Sequence, residues 1–123
     1  MTNNVALQII DHAHLAMEVA SDLQASDILL LDIRKAGDFA DYFIILSAES
    51  TRQMEALIED IAHVLKAEGV TLHHKEGDHR TGWALLDFGD IIVHLFGPEE
   101  REFYNIENIW LELGAVEAVR FVQ

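Results

Sequence analysis

The chain of 123 residues predicts an α/β (α+β) fold, a single mixed β-sheet of about five strands flanked by helices. Three observations carry that prediction. Apolar residues recur at helical spacing before residue 24 and again after residue 50. Between and beyond these stretches stand short runs of strand length and composition. The longest of them, Trp83 to Phe96, is two apolar runs around an acidic Gly turn, followed at once by Pro98 and a cluster of Glu.

Val5 to Leu23 reads as the first helix, with Leu7, Ile10, His14, Met17 and Leu23 near one face and Ile9, Ala13, Ala16 and Ala20 beside it. Asp27–Ile33 has the length of a strand, and Lys35–Asp38 forms a loop. Asp41–Ser47 is apolar on both faces, which predicts a strand covered on both sides. Ser50-Thr51-Arg52-Gln53 is a capping box, and Met54, Leu57, Ile58, Ile61 and Leu65 line one face of the helix it opens, with Gly69 as its stop. Val70–Lys75 is predicted as a strand and Glu76–Gly82 as a polar loop. In the hairpin, Gly89 supplies the positive φ of the turn. Pro98 suits the first turn of a helix that extends to about Leu113, with Glu99, Glu100 and Glu102 at its positive end. The apolar tail from Ala115 is a last strand or a docked extension. Residues 1–123 are expected to form one domain.

Half the residues are hydrophobic and 24% charged, the balance of an ordinary globular protein. No cysteine is present, which excludes disulfides, zinc-thiolate sites and Cys nucleophiles. The N-terminus lacks a basic region, and no apolar run approaches the roughly 18 residues of a membrane span, so a cytoplasmic protein without a membrane is expected. The 22 acidic against 8 basic residues give a formal net charge of −14. That surface repels phosphate backbones and anionic lipid, so little direct nucleic-acid binding is expected; it would steer a basic protein partner inward.

Asp87 and Asp90 flank the hairpin turn and, with Glu76, are the candidates for a metal-dependent nucleotidyltransferase-like site, since two-metal phosphoryl transfer needs carboxylates converging on ions about 4 Å apart. No Gly-rich phosphate loop accompanies them, and acids beside a Gly are ordinary turn chemistry. His73, His74 and His79 have no recognised ligand spacing, and neighbours in a strand point to opposite faces. His94, between Val93 and Leu95, reads as a buried, neutral, hydrogen-bonded core histidine. Alternation along the first hairpin strand puts Ala84, Leu86 and Phe88 on one face and Trp83, Leu85 and Asp87 on the other. The first set suits a core; the second suits either a half-buried sheet surface or an interface stripe with two apolar anchors and an acidic pin. A homodimer through the hairpin face or the apolar Val116, Val119, Phe121 and Val122 is a further expectation.

Taken in order, Asp41-Tyr42-Phe43-Ile44-Ile45, Ser50-Thr51-Arg52-Gln53, Glu76-Gly77, the Trp83–Phe96 hairpin, and Arg101-x-Phe103-Tyr104-x-Ile106-Glu107-x-Ile109-Trp110 resemble the ribosomal silencing factor, or Iojap, family over about residues 5–111. The resemblance implies a nucleotidyltransferase-like fold without that superfamily's catalytic apparatus, hence no enzyme, cofactor or metal. It implies binding to the large ribosomal subunit through ribosomal protein L fourteen, a basic protein, and a steric block to joining of the small subunit when nutrients are scarce. By position it makes Trp83, Leu85 and Asp87 partner contacts, Glu76, Asp90 and Tyr104 secondary ones, and Asp41, Arg52, His94 and Trp110 structural. Ser47-Ala48-Glu49-Ser50 departs from the family's Thr-Gly-x-Ser, and residues 114–123 form a tail without a recognised family pattern.

Overall fold

The computed structural model describes residues 8–121. The elements run α1 (Ile9–Asp22), β1 (Ser26–Asp32), β2 (Tyr42–Ser47), α2 (Thr51–Ala67), β3 (His74–Asp78), β4 (Trp83–Asp87), β5 (Ile91–Phe96), α3 (Pro98–Tyr104), α4 (Ile106–Glu112) and β6 (Val116–Arg120). One mixed sheet holds all six strands in the order β3-β4-β5-β2-β1-β6. β2 and β5 are parallel; every other neighbouring pair is antiparallel. The expected five-strand sheet thus gains a sixth member, because the tail pairs with β1 at the edge.

The pleat gives the sheet two faces. One carries Ile28, Leu30, Ile44, Leu46, Ala84, Leu86, Val93 and Leu95 and is covered by Ala13, Ala16, Met17 and Ala20 of α1 and by Met54, Leu57, Ile58, Ile61 and Leu65 of α2. The other carries Leu29, Leu31, Phe43, Ile45, Ile92 and Phe96, against which Ile106 and Trp110 of α4 are packed. The stripe of α1 differs from the expected one: His14 is exposed, and the small residues Ala13, Ala16 and Ala20 face inward, bringing α1 close to the sheet. The predicted start of this helix, Val5 to Leu7, lies outside the described residues, as does Val122 of the tail.

Ser50 caps α2 by accepting from the Gln53 amide at 3.1 Å. The Gln53 side chain reaches back one residue further than the expected box, accepting from the Glu49 amide, and donates to the carbonyls of Leu23 and Gln24 at 3.0 and 2.9 Å. It thereby ties the start of α2 to the end of α1.

Two expected elements are corrected. The strand placed at Val70–Lys75 begins only at His74 and runs through Glu76 to Asp78, part of the expected loop. Val70 and Leu72 still pack against the core, but ahead of the strand. The single helix expected from Pro98 to Leu113 is two, broken at Asn105, whose φ of 50° lies in the left-handed region. The break turns α4 back so that Glu107 meets Arg101. The guanidinium donates from Nε to Glu107 Oε1 at 2.6 Å, from Nη2 to Oε2 at 3.3 Å and from Nη1 to Ser47 Oγ at 2.9 Å. This largely buried fork fastens both short helices to the end of β2.

Candidate functional site

β3, β4 and the end of α3 build a groove of about 300 Å³ on the second face of the sheet, lined by Glu76, Gly77, Thr81, Trp83, Leu85 and Tyr104. Its floor follows from register. Directly paired residues in an antiparallel ladder share a face, and β3 pairs Asp78 with Trp83, Glu76 with Leu85 and His74 with Asp87. The apolar row Trp83–Leu85 therefore lies beside an acidic row from β3. Ala84, Leu86 and Phe88 point the other way and are buried in the main core. Tyr104, the last residue of α3, closes the groove from above, its ring 4.7 Å from that of Trp83.

Trp83 is half-buried and held on three sides. It stacks on Phe96 with centroids 5.0 Å apart and planes inclined by 29°, and it touches Tyr104. Its indole Nε1–H donates to His94 Nδ1 at 3.3 Å. His94 is 5% exposed, and Phe43 meets its ring edge-on at 4.7 Å. Burial pushes its pKa down to about 4, so the imidazole is neutral at pH 7. With Nδ1 accepting, the proton sits on Nε2, which has no hydrogen-bond partner. An unsatisfied buried donor of this kind is worth about 1–3 kcal/mol of lost stability. The sequence expectation of a buried, neutral, hydrogen-bonded histidine holds.

Of the six sequence-predicted contacts, Glu76, Trp83, Leu85 and Tyr104 line the groove. Asp87 continues the β4 face about 13 Å along the strand from Trp83. Its carboxylate accepts from the Gly89 amide at 2.8 Å, as an acid at a turn does. Asp90 lies in the turn beyond it, exposed, at the opposite end of the hairpin from Tyr104. Its carbonyl accepts from the amides of Asp41 and Tyr42 at 2.8 and 3.1 Å, so its backbone braces β2. Sequence reasoning did not find Thr81 or the pairing of His94 with Trp83. It also passed over Phe103, 80% exposed and edge-on to Tyr104 at 5.1 Å, although its neighbour in the motif was chosen.

The acids considered for a metal site are engaged separately. Glu76 Oε1 lies 3.0 Å from His74 Nε2, Asp87 holds the turn, and Asp90 is exposed. Among the described residues, no three His, Asp or Glu side chains form a group able to hold a metal ion. The crevice outside the carboxyl ends of parallel strands is where α/β sheets commonly bind phosphates. Here, beyond β2 and β5, it is lined in part by Ser50, Gly82, Gly97 and Glu100. The Glu100 side chain lies so close to Gly82 and Gly97 that a Cβ on either would come within 2.4 Å of it. The two glycines leave room for the Glu100 side chain in this crevice, which His79 and Arg80 also line.

The apolar tail is not a fully exposed set. Val119 and Phe121 pack against the core, and Val116 is 56% exposed. Among the described residues, no helix is long and apolar enough to cross a membrane.

The chain is similar in sequence to proteins of known family. The family model described as "Ribosomal silencing factor during starvation" matches residues 6–122 and so runs through the tail in which no family pattern was recognised. The ribosomal silencing factor of Halalkalibacterium halodurans is 31% identical over 117 residues, covering 95% of each chain. The mouse protein named mitochondrial assembly of ribosomal large subunit protein 1 is 33% identical over 89 residues, 70% of this chain and 39% of that one. A crystal structure of a protein from Chromobacterium violaceum superposes with a TM-score of 0.80 at 32% identity, covering 95% of both chains. Matched by the family model over nearly its whole length and 31% identical to a ribosomal silencing factor across 95% of both chains, this chain belongs to the ribosomal silencing factor family.

Proposed function

We propose that the chain is a non-catalytic repressor of translation, one domain over residues 1–123, that docks its Trp83–Leu85–Tyr104 groove onto the large ribosomal subunit. The contact is ribosomal protein L fourteen, a basic protein, and the bound factor sterically blocks joining of the small subunit. Family membership supports action on the ribosome, and the name of the mouse relative points to the large subunit. The observation that carries the docking site is the groove itself. It sets a half-buried Trp, a Leu and a Tyr beside the acids of β3, an arrangement suited to an apolar anchor flanked by Lys or Arg. The net charge of −14 favours encounter with a basic surface and disfavours bare RNA.

Adding the purified protein to separated ribosomal subunits before mixing them should reduce the amount of joined ribosome in a sucrose gradient. Trp83→Ala should restore joining, and replacing the basic residues of the facing patch on L fourteen with acidic ones should do the same from the other side. Unimpaired repression by Trp83→Ala would remove the groove from the account. Undiminished joining with the wild-type protein bound would remove the steric block.

A further inference from the structure

Along β5 every side chain except one is apolar: Ile91, Ile92, Val93, Leu95 and Phe96 surround a single imidazole, that of His94. A position that required only packing would be filled by a phenyl ring, as Phe96 fills its own two residues on. His94 instead presents Nδ1 to the indole of Trp83 and leaves Nε2 without a partner. Buried polar groups are ordinarily satisfied, so packing does not account for the imidazole. What it adds over phenyl is one acceptor, placed diagonally across the β4–β5 ladder from Trp83, since Leu85 is the direct partner of His94 and Phe96 that of Trp83.

We propose that His94 is a positioning residue for partner docking, its Nδ1 holding the Trp83 indole in the one orientation that shapes the groove floor. The inference rests on the docking role of Trp83 proposed above. Stacking on Phe96 and contact with Tyr104 restrict the tilt of the indole. They do not choose between its two edges, because the torsion that turns an aromatic ring about its Cβ–Cγ bond has broad, roughly two-fold preferences. The Nε1–H···Nδ1 bond makes that choice: it turns the nitrogen edge toward the buried His94 while Trp83 lines the groove. The imidazole is itself fixed, edge-on to Phe43 and nearly parallel to Phe96, with 10° between the planes. A partner then meets an anchor already ordered, which spares it the loss of side-chain freedom on binding.

The test uses the full chain, purified large ribosomal subunits, and the variants His94→Phe and His94→Asn. Phenyl keeps the ring and removes the acceptor; Asn returns an acceptor near the Nδ1 position. His94→Phe should bind the subunits about ten-fold more weakly in a pelleting assay, as loss of preorganisation without loss of contact area predicts. Its Trp83 indole N–H resonance, assigned with Trp83→Phe, should move and exchange with solvent faster. His94→Asn should recover both. Wild-type binding by His94→Phe would overturn the inference, as would weakened binding with the Trp83 resonance unmoved or with no recovery in His94→Asn. If His94→Phe does not fold, the wild-type indole decides: fast exchange at Trp83 Nε1–H overturns the bond, and slow exchange with intact binding by His94→Asn supports it. Loss of binding in Trp83→Ala together with full binding by His94→Phe refutes the positioning role alone. Full binding by Trp83→Ala refutes the docking reading and this inference with it.

Discussion

The two faces of the sheet are held by different physics. The face under α1 and α2 is sealed by aliphatic side chains of both helices and all four inner strands. The opposite face is largely aromatic at its centre, covered by α4 on one side and left open as a groove on the other. On the sealed face the contacts are non-directional, so burial alone serves. On the open face the decisive contacts are directional: the Arg101 fork to Glu107 and Ser47, and the Trp83–His94 hydrogen bond. Directional contacts fix positions, which a docking surface needs and a sealed core does not. The strand β4 belongs to both regimes, with Ala84 and Leu86 on one side and Trp83 and Leu85 on the other.

The sharpest way to break this contrast is at Arg101. Arg101→Ala leaves Glu107 largely buried without its partner and should destabilise the protein by about 3–5 kcal/mol, measured by urea unfolding. Subunit binding should fall with it, because the same fork sets α3 and hence Tyr104. An unchanged midpoint would mean that Ile106 and Trp110 hold the cover unaided. On the sealed face, Leu86→Ala should destabilise by about 3 kcal/mol through the cavity it leaves, while the folded fraction still binds subunits normally. Weakened binding per folded molecule would show that the faces are not independent.

Acid acts on the buried imidazole of the open face before it acts on the paired carboxylates. His94 has a folded pKa of about 4 against an ordinary 6.5, so between these values the unfolded chain binds more protons than the folded one. Its stabilising contribution is therefore complete above pH 6.5 and is lost as pH falls toward 4, at most about 3 kcal/mol. Asp32 and Asp78 are held below the ordinary 3.8 by hydrogen bonds from Arg34 and Arg80, with Asp78 at about 2, so what they contribute is intact above about pH 4 and is lost as pH falls from the ordinary value through the folded one. Unfolding free energy measured from pH 7 to 4 should decline in the wild type and decline less in His94→Phe. Equal slopes would contradict the buried neutral imidazole. The smallest effect is expected at the groove rim: Glu76→Gln should slow association with large subunits a few-fold at low salt, with little change in dissociation, in stopped-flow measurements.

What could be seen in the sequence divides along the same line. Strand alternation identified the inward set Ala84, Leu86 and Phe88, and Gly89 marked the turn, because periodicity and a positive φ are local properties. β3 was misplaced because His74–Asp78 is an exposed edge strand of polar residues with no apolar alternation, while Val70 and Leu72 drew the prediction four residues early. The break at Asn105 was hidden because helical spacing continues on both sides of it. Asn tolerates the left-handed conformation, but the reason to adopt it is the meeting of Glu107 with Arg101 and of Arg101 with Ser47, 54 residues away. In the candidate site, the strand face and the family resemblance pointed to Trp83 and Leu85, and both line the groove. The bond from Trp83 to His94 depends on register across the hairpin, which neither residue reveals by itself.

If the open face docks the ribosome and the sealed face only holds the fold, substitutions on the two faces should affect subunit binding differently. Pelleting of Trp83→Ala with purified large subunits, beside the sealed-face variant Ile44→Val as a control, tests it most directly. Trp83→Ala should bind at least about 30-fold more weakly, the effect of losing a hot-spot aromatic, and Ile44→Val should bind as wild type. Wild-type pelleting of Trp83→Ala, confirmed folded by circular dichroism, would contradict it.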